Sequence, residues 1–145
     1  MNGKQRTLFL ADKCLTPQKQ LKQTGILCEG DRILAVGGAS AFTQDEELTV
    51  YHLKNCYATP GFIDSHIHGA GGFDSSTAAE SGTSIEDMAQ ILLAHGVTTF
   101  IPTVVAAAPE KMLANLNMLA DLIDKSELGA RPVGIHVEGP FVNPK

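Results

Sequence analysis

Three apolar, β-branched runs punctuate the later part of the chain at equal intervals, beginning at Gly61, Val97 and Val133. Between them lie two stretches whose apolar residues recur at helical spacing. Ile85, Met88, Ile91 and Leu92 share one face of the first; Met112, Leu113, Leu116, Leu119, Leu122 and Ile123 share one face of the second. A strand that returns to its sheet after a single helix runs parallel to its predecessor. The pattern therefore predicts three successive βα units of a parallel sheet. Thr83 followed by Glu86 reads as a capping box that opens the first helix, and Gly96 stands where that helix should end. Pro109 and Glu110 open the second, since proline in the first helical position forfeits no hydrogen bond. Units of this kind begin either a closed barrel or an open, doubly wound sheet. No Gly-x-Gly-x-x-Gly follows any of the three runs, which weakens the dinucleotide-binding form of the open sheet.

Residues 1–58 have a different texture, with short strand-like runs and tight turns. Thr7 to Ala11 is one such run; residues 25–29 and 32–36 flank Gly30-Asp31, a two-residue hairpin signal; Val50 to Tyr57 is a further strand. Ala39 to Glu47 is polar and loop-like. The expected organisation is a small β domain over 1–58, followed by the strand–helix units over 59–145.

Composition narrows the class. The 145 residues are 43% hydrophobic and 19% charged, enough apolar material for a packed core and too much for a disordered chain. A net charge of -5 without a basic cluster argues against nucleic acid. No apolar run approaches the length of a membrane span, and the first residues lack the apolar stretch of a signal peptide, so the expected location is the cytoplasm. Cys14, Cys28 and Cys56 are odd in number and widely spaced, and read as reduced, mostly buried thiols.

Chemistry-bearing residues gather at the ends of two predicted strands. His66 and His68 follow the first. Alternate residues of an extended chain point the same way, so both imidazoles can aim at one ion while Ile67 packs inward. Such a pair also occurs on solvated surfaces, but the C-terminal end of a buried βα strand is where barrel enzymes place their reactive groups. The third strand ends in Gly134-Ile135-His136-Val137-Glu138-Gly139-Pro140, with His136 and Glu138 on one face. A carboxylate there needs a partner, either a metal ion or a basic side chain. Three histidines and one glutamate at two strand ends favour the metal, held in a site that keeps a position open for water. Asp64 either orients the first-strand ligands or closes a strand salt bridge. Gly69-Ala70-Gly71-Gly72 is either a flexible loop or a backbone cradle for a substrate group. His52 and His95 read as surface or helix-end residues, and Ser65, Ser75 and Ser76 lack a nucleophile-elbow setting.

The segment Thr59-Pro60-Gly61-Phe62-Ile63-Asp64-Ser65-His66-Ile67-His68-Gly69 resembles the first-strand signature of the amidohydrolase superfamily, and residues 25–37 resemble the hairpin that precedes it. Residues 134–141, with Gly96-Val97-Thr98-Thr99 and Pro102-Thr103, are similar to the N-acetylglucosamine-6-phosphate deacetylase family more than to hydantoinases or dihydroorotases. The resemblance implies a distorted (β/α)₈ barrel, of which the first three βα units are present, preceded by a small β-sandwich domain built from both chain ends. It implies hydrolysis of the acetamide of N-acetylglucosamine 6-phosphate to glucosamine 6-phosphate and acetate. Charge and hydropathy point to no nucleic-acid or membrane partner, and an acidic barrel enzyme is expected to be a homo-oligomer, a dimer, at full length. The resemblance makes His66, His68 and Glu138 ligands of a divalent ion, zinc or iron, with one or two ions bound, and sets His136 beside the site as an outer or substrate contact. The general-base aspartate, two further histidine ligands and the phosphate contacts are then expected beyond Lys145. A barrel of this kind typically needs about 250 residues, so the chain, ending in the loop Asn143-Pro144-Lys145, is expected to be truncated in mid-fold and inactive alone. The alternatives are another amidohydrolase, either a cyclic-amide hydrolase or a nucleobase deaminase, and a non-catalytic truncated domain that binds a partner.

Overall fold

A computed structural model describes residues 5–42, 48–80, 84–125 and 129–143. The chain divides into two compact units, Met1–Pro60 and Gly61–Lys145. The first is a four-stranded sheet: β1 (Arg6–Leu15), β2 (Gln20–Glu29), β3 (Arg32–Gly38) and β4 (Leu48–Ala58), in the order β3-β2-β1-β4. Both hairpins are antiparallel, whereas β4 joins β1 in parallel after a short 3-10 turn over Ala39–Ala41. Gly30 opens the β2–β3 turn with φ +56, and Glu29 pairs with Arg32 across it, as the Gly-Asp signal predicts. The β1–β2 turn has a different lock: the Thr16 hydroxyl accepts hydrogen bonds from the backbone N–H groups of Gln18 and Lys19. That hairpin runs through Asp12 to Thr24, polar residues whose strand character the apolar pattern does not reveal. Leu8, Ala11, Cys14 and Thr24 are buried. A register shift between Ala11 and Lys13 is stabilised on the β4 side by Asn55. Its φ is +57, and its N–H donates to Asp12 Oδ2 at 2.6 Å. Asparagine is among the few residues that tolerate this left-handed backbone.

The second unit is a mixed α/β arrangement. Its strands are β5 (Phe62–Ile67), the short hairpin β6 (Gly69–Ala70) and β7 (Phe73–Asp74), β8 (Val97–Val104), β9 (Arg131–Pro132) and β10 (His136–Val137); its helices are α1 (Ile85–Ala94) and α2 (Pro109–Lys125). β8 is central and pairs in parallel with β5 on one side and with β9 and β10 on the other. This is the strand–helix–strand succession that the spacing of apolar runs implies. Phe100 and Val104 of β8, Ile85, Met88, Ala89 and Leu92 of α1, and Leu119 of α2 form the core, with Phe73, Ala78 and Ala130. Among the described residues no helix is long and apolar enough to cross a membrane.

Several expectations need correction. Thr83 lies outside the described residues, and the helix cap is Ser84, whose Oγ accepts from the Asp87 N–H at 3.2 Å. The third strand begins at Arg131, not Val133, and is broken into two pieces. After Pro132 the Val133 N–H still donates to the Phe100 carbonyl at 3.2 Å, and strand pairing resumes at His136. Leu113 is 59% exposed and belongs to the outer face of α2. The inner face instead includes Asn115, 2% exposed. The three cysteines are free, but only Cys14 is buried and Cys56 is exposed, because β4 is an edge strand. Residues 69–72 are neither a loose loop nor an open cradle: Gly69 pairs with Asp74 and Ala70 with Phe73 around the Gly71-Gly72 turn. Both turn glycines have positive φ, +63 and +88, the backbone that a two-residue primed turn requires. Of the expected loop at Ala39 to Glu47, residues 43–47 lie outside the described residues.

Candidate metal centre

β5 delivers His66 and His68 at its C-terminal end, and the segment after β10 delivers Glu138. The two strands lie on opposite sides of β8, so their ends converge over it. Asp64 Oδ1 accepts a hydrogen bond from the His66 backbone N–H at 3.1 Å, which holds the strand end where its register with β8 shifts. Asp64 thus acts on the main chain that carries His66. Opposite, the Glu138 N–H donates to the Val104 carbonyl at 2.9 Å, anchoring the carboxylate segment to the end of β8.

Among the described residues, His66, His68 and Glu138 form a group of donors close enough to share an ion. The two Nε2 atoms lie 3.2 Å apart. Glu138 Oε1 is 3.2 Å from His66 Nε2, and Oε2 is 3.7 Å from His68 Nε2. Zinc bonds of about 2.1 Å in tetrahedral geometry would place neighbouring donors about 3.4 Å apart. Each histidine faces its own Glu138 oxygen near that distance, and one donor atom from each side chain lies within 4.8 Å of the others. The chemistry agrees. At most one proton can lie between two Nε2 atoms at this distance, and a carboxylate facing them adds negative charge where lone pairs already converge. Imidazole with carboxylate is a donor set for a first-row divalent ion. The three side chains remain 39–47% exposed, so the site is open to solvent and to a ligand.

His136 stands beside this group and outside it. Its ring centroid is 4.8 Å from that of His66, tilted by 58°, and its Nδ1 lies 3.4 Å from Thr103 Oγ1. Thr103 is fully buried on β8 and pairs with His136; nothing in a β-branched run marks it for that contact. An open cleft of 480 Å³ adjoins Glu138, lined also by Val105, Ala106, Gly139 and Val142. The other histidines are elsewhere: His52 is exposed on β4, and His95 caps α1, its Nδ1 2.8 Å from the Ile91 carbonyl.

Residues 57–145 match the amidohydrolase family model, a class of hydrolases that is generally metal-dependent. The chain belongs to the amidohydrolase family. Within it, the chain is similar to N-acetylglucosamine-6-phosphate deacetylases. It is 41% identical over 88 residues to the enzyme of Rattus norvegicus, an alignment covering 58% of this chain and 20% of that protein. The crystal structure of N-acetyl-D-glucosamine-6-phosphate deacetylase from Mycobacterium smegmatis superposes with a TM-score of 0.80 and 31% identity, over 94% of this chain and 34% of that one. A mutant of the same enzyme, in complex with N-acetyl-D-glucosamine-6-phosphate, superposes with a TM-score of 0.70, 31% identity, and 95% and 34% coverage. The chain spans about a fifth of the length of the curated relatives it matches.

Proposed function

We propose that the protein to which this chain belongs removes the acetyl group of N-acetylglucosamine 6-phosphate, and that His66, His68 and Glu138 hold the divalent ion that the reaction needs. The observation that carries the proposal is the donor group itself, 3.2–3.7 Å between facing atoms, in a chain similar to deacetylases of this substrate. A bound divalent ion would polarise the amide carbonyl and lower the pKa of water towards roughly 7. The residues of the chain prepare that chemistry. The histidines present two ring nitrogens, Glu138 supplies the charge that offsets the cation, and Asp64 holds the His66 backbone in place. His136 supports the site from its edge, contacting the His66 ring or the substrate. The apolar wall formed by Val105, Ala106 and Val142 beside Glu138 suits the methyl of an acetyl group.

The proposal extends to architecture and setting. Residues 59–145 are taken as the opening of a (β/α)₈ barrel, and residues 1–58 as part of a small β-sandwich domain. The ion is zinc or iron, in one or two sites; the enzyme is cytoplasmic and dimeric; and residues 1–145 by themselves do not turn over substrate, since no general base is assigned within them.

The test is acetate release by the full natural chain from N-acetylglucosamine 6-phosphate and N-acetylglucosamine, beside ring opening of a dihydropyrimidine, each with and without a chelator. Metal-dependent release from the phosphorylated sugar is expected. Preference for the cyclic amide, or turnover that survives complete metal removal, would sink the proposal.

A further inference from the structure

We propose that Ser76, clamped by Asn115, is a positioning residue for the metal centre and sets the separation between the histidine pair and Glu138. The inference rests on the metal-centre reading above and concerns residues outside the donor group. Two chains of hydrogen bonds meet at Ser76. On the histidine side, the Ser75 N–H donates to the His68 carbonyl at 2.8 Å. On the glutamate side, the Glu138 N–H donates to the Val104 carbonyl, and the N–H of the same peptide bond, that of Val105 just past β8, donates to Ser76 Oγ at 3.0 Å. The Ser76 hydroxyl therefore joins the segment that carries His68 to the end of β8, to which Glu138 is anchored.

A hydroxyl can set a distance only if its own backbone is held. The Ser76 N–H donates to Asp74 Oδ1 at 2.7 Å, within the 3-10 turn over Ser75–Thr77. Its carbonyl accepts from Asn115 Nδ2 at 2.5 Å, while Asn115 Oδ1 accepts from the Ala79 N–H at 3.2 Å. Asn115 lies on the inner face of α2 between Met112 and Leu119, where a polar side chain is costly unless both ends of its amide are satisfied. Here both are, by main-chain groups of the turn. One donor and one acceptor also fix which way the amide points. Aspartate, of the same shape, would set a carboxylate oxygen against the Ser76 carbonyl.

Groups that hydrogen-bond a metal ligand directly commonly change metal affinity by about 10–100-fold when lost, and Ser76 and Asn115, which act through the main chain, belong at the lower end of that range. Ser76→Ala, Ser76→Thr and Asn115→Asp in the full natural chain separate positioning from mere stability. The readouts are zinc affinity by chelator competition, at a temperature where each variant is folded, the visible spectrum of the cobalt form, and the melting temperature of the metal-free protein. Ser76→Ala and Asn115→Asp should weaken zinc binding about tenfold or more and alter the cobalt spectrum, and Ser76→Thr, which keeps the hydroxyl, should restore both. Parent-like zinc affinity and cobalt spectrum in Ser76→Ala and Asn115→Asp, with only the melting temperature lowered, would overturn the inference. A parent protein that binds neither ion would instead refute the metal-centre reading, and the inference would fall with it.

Discussion

Replacing Glu138 by glutamine keeps the side chain's shape and removes its charge, so it tests the donor group without emptying space. In the metal-free protein the change should be mild. The contacts to His66 and His68 are 39–47% exposed, and pairs so open to solvent contribute at most about 1 kcal/mol. With metal the difference should be large. An ion at one hundred times its dissociation constant stabilises the state that binds it by about 2.7 kcal/mol. For a chain of this length that raises the melting temperature by roughly 5–11 °C. Losing a direct ligand should weaken binding by at least the roughly hundredfold that an outer partner can. At the same free-ion concentration the gain then shrinks to about 0.4 kcal/mol, or about 1 °C. The assay is thermal unfolding of the 145-residue polypeptide across a zinc titration, beside the parent and His52→Ala. His52, exposed on β4, should leave the upshift intact. A Glu138→Gln protein that keeps the full upshift, or a His52→Ala protein that loses it, would refute the assignment of the ion to His66, His68 and Glu138.

Three further substitutions probe the frame that carries the site. Phe100 is fully buried at the centre of the second unit, so Phe100→Ala should cost about 3–5 kcal/mol in urea unfolding, a large share of an ordinary domain's stability; a loss under about 1 kcal/mol would displace it from the core. Gly71→Ala should cost about 1–2 kcal/mol through its φ of +63. The added methyl meets only the terminal carbon of the half-exposed Ile91, which can swing aside, so pairing it with Ile91→Ala should restore little; full rescue would show that crowding dominates. At the bulge of the first unit, Asn55→Gly should be nearly neutral and Asn55→Ala destabilising by about 1 kcal/mol in the same assay, and equal effects would remove backbone strain as the cause.

What could be read from the sequence is what local chemistry repeats. The βα succession follows from apolar periodicity, and it predicts α1, β8 and α2 because each buries a face that its own residues define. The Gly30-Asp31 hairpin follows from turn chemistry. The failures have equally physical sources. The polar half of the first hairpin, Asp12 to Thr24, forms strands because Thr16 ties the turn and β1 is paired along both edges, neither of which an apolar pattern records. The third strand is split between Pro132 and His136, a gap that hydrophobicity alone does not mark. Leu113 lies about 100° round the helix from Met112 and turns outward, while the polar Asn115 falls on the inner face with Met112 and Leu119.

The site divides along the same line. His66 and His68 are recognisable together because alternation on one strand is enough to aim both side chains. His136 and Glu138 share a strand end by the same rule. That the two pairs meet is a property of the sheet: β5 and β10 flank β8, so residues some seventy positions apart come within hydrogen-bonding range of one another. The contacts that regulate their spacing are less visible still. Ser76 has the composition of a loop residue and Asn115 interrupts an apolar helical face, so each alone reads as noise. Their meaning is joint: an amide buried in a helix is satisfied only by a turn 39 residues earlier in the chain. That turn in turn holds the N–H of Val105, one residue beyond the carbonyl that anchors Glu138. Strand ends supply the donors, and polar groups that interrupt the local patterns set the distance between them.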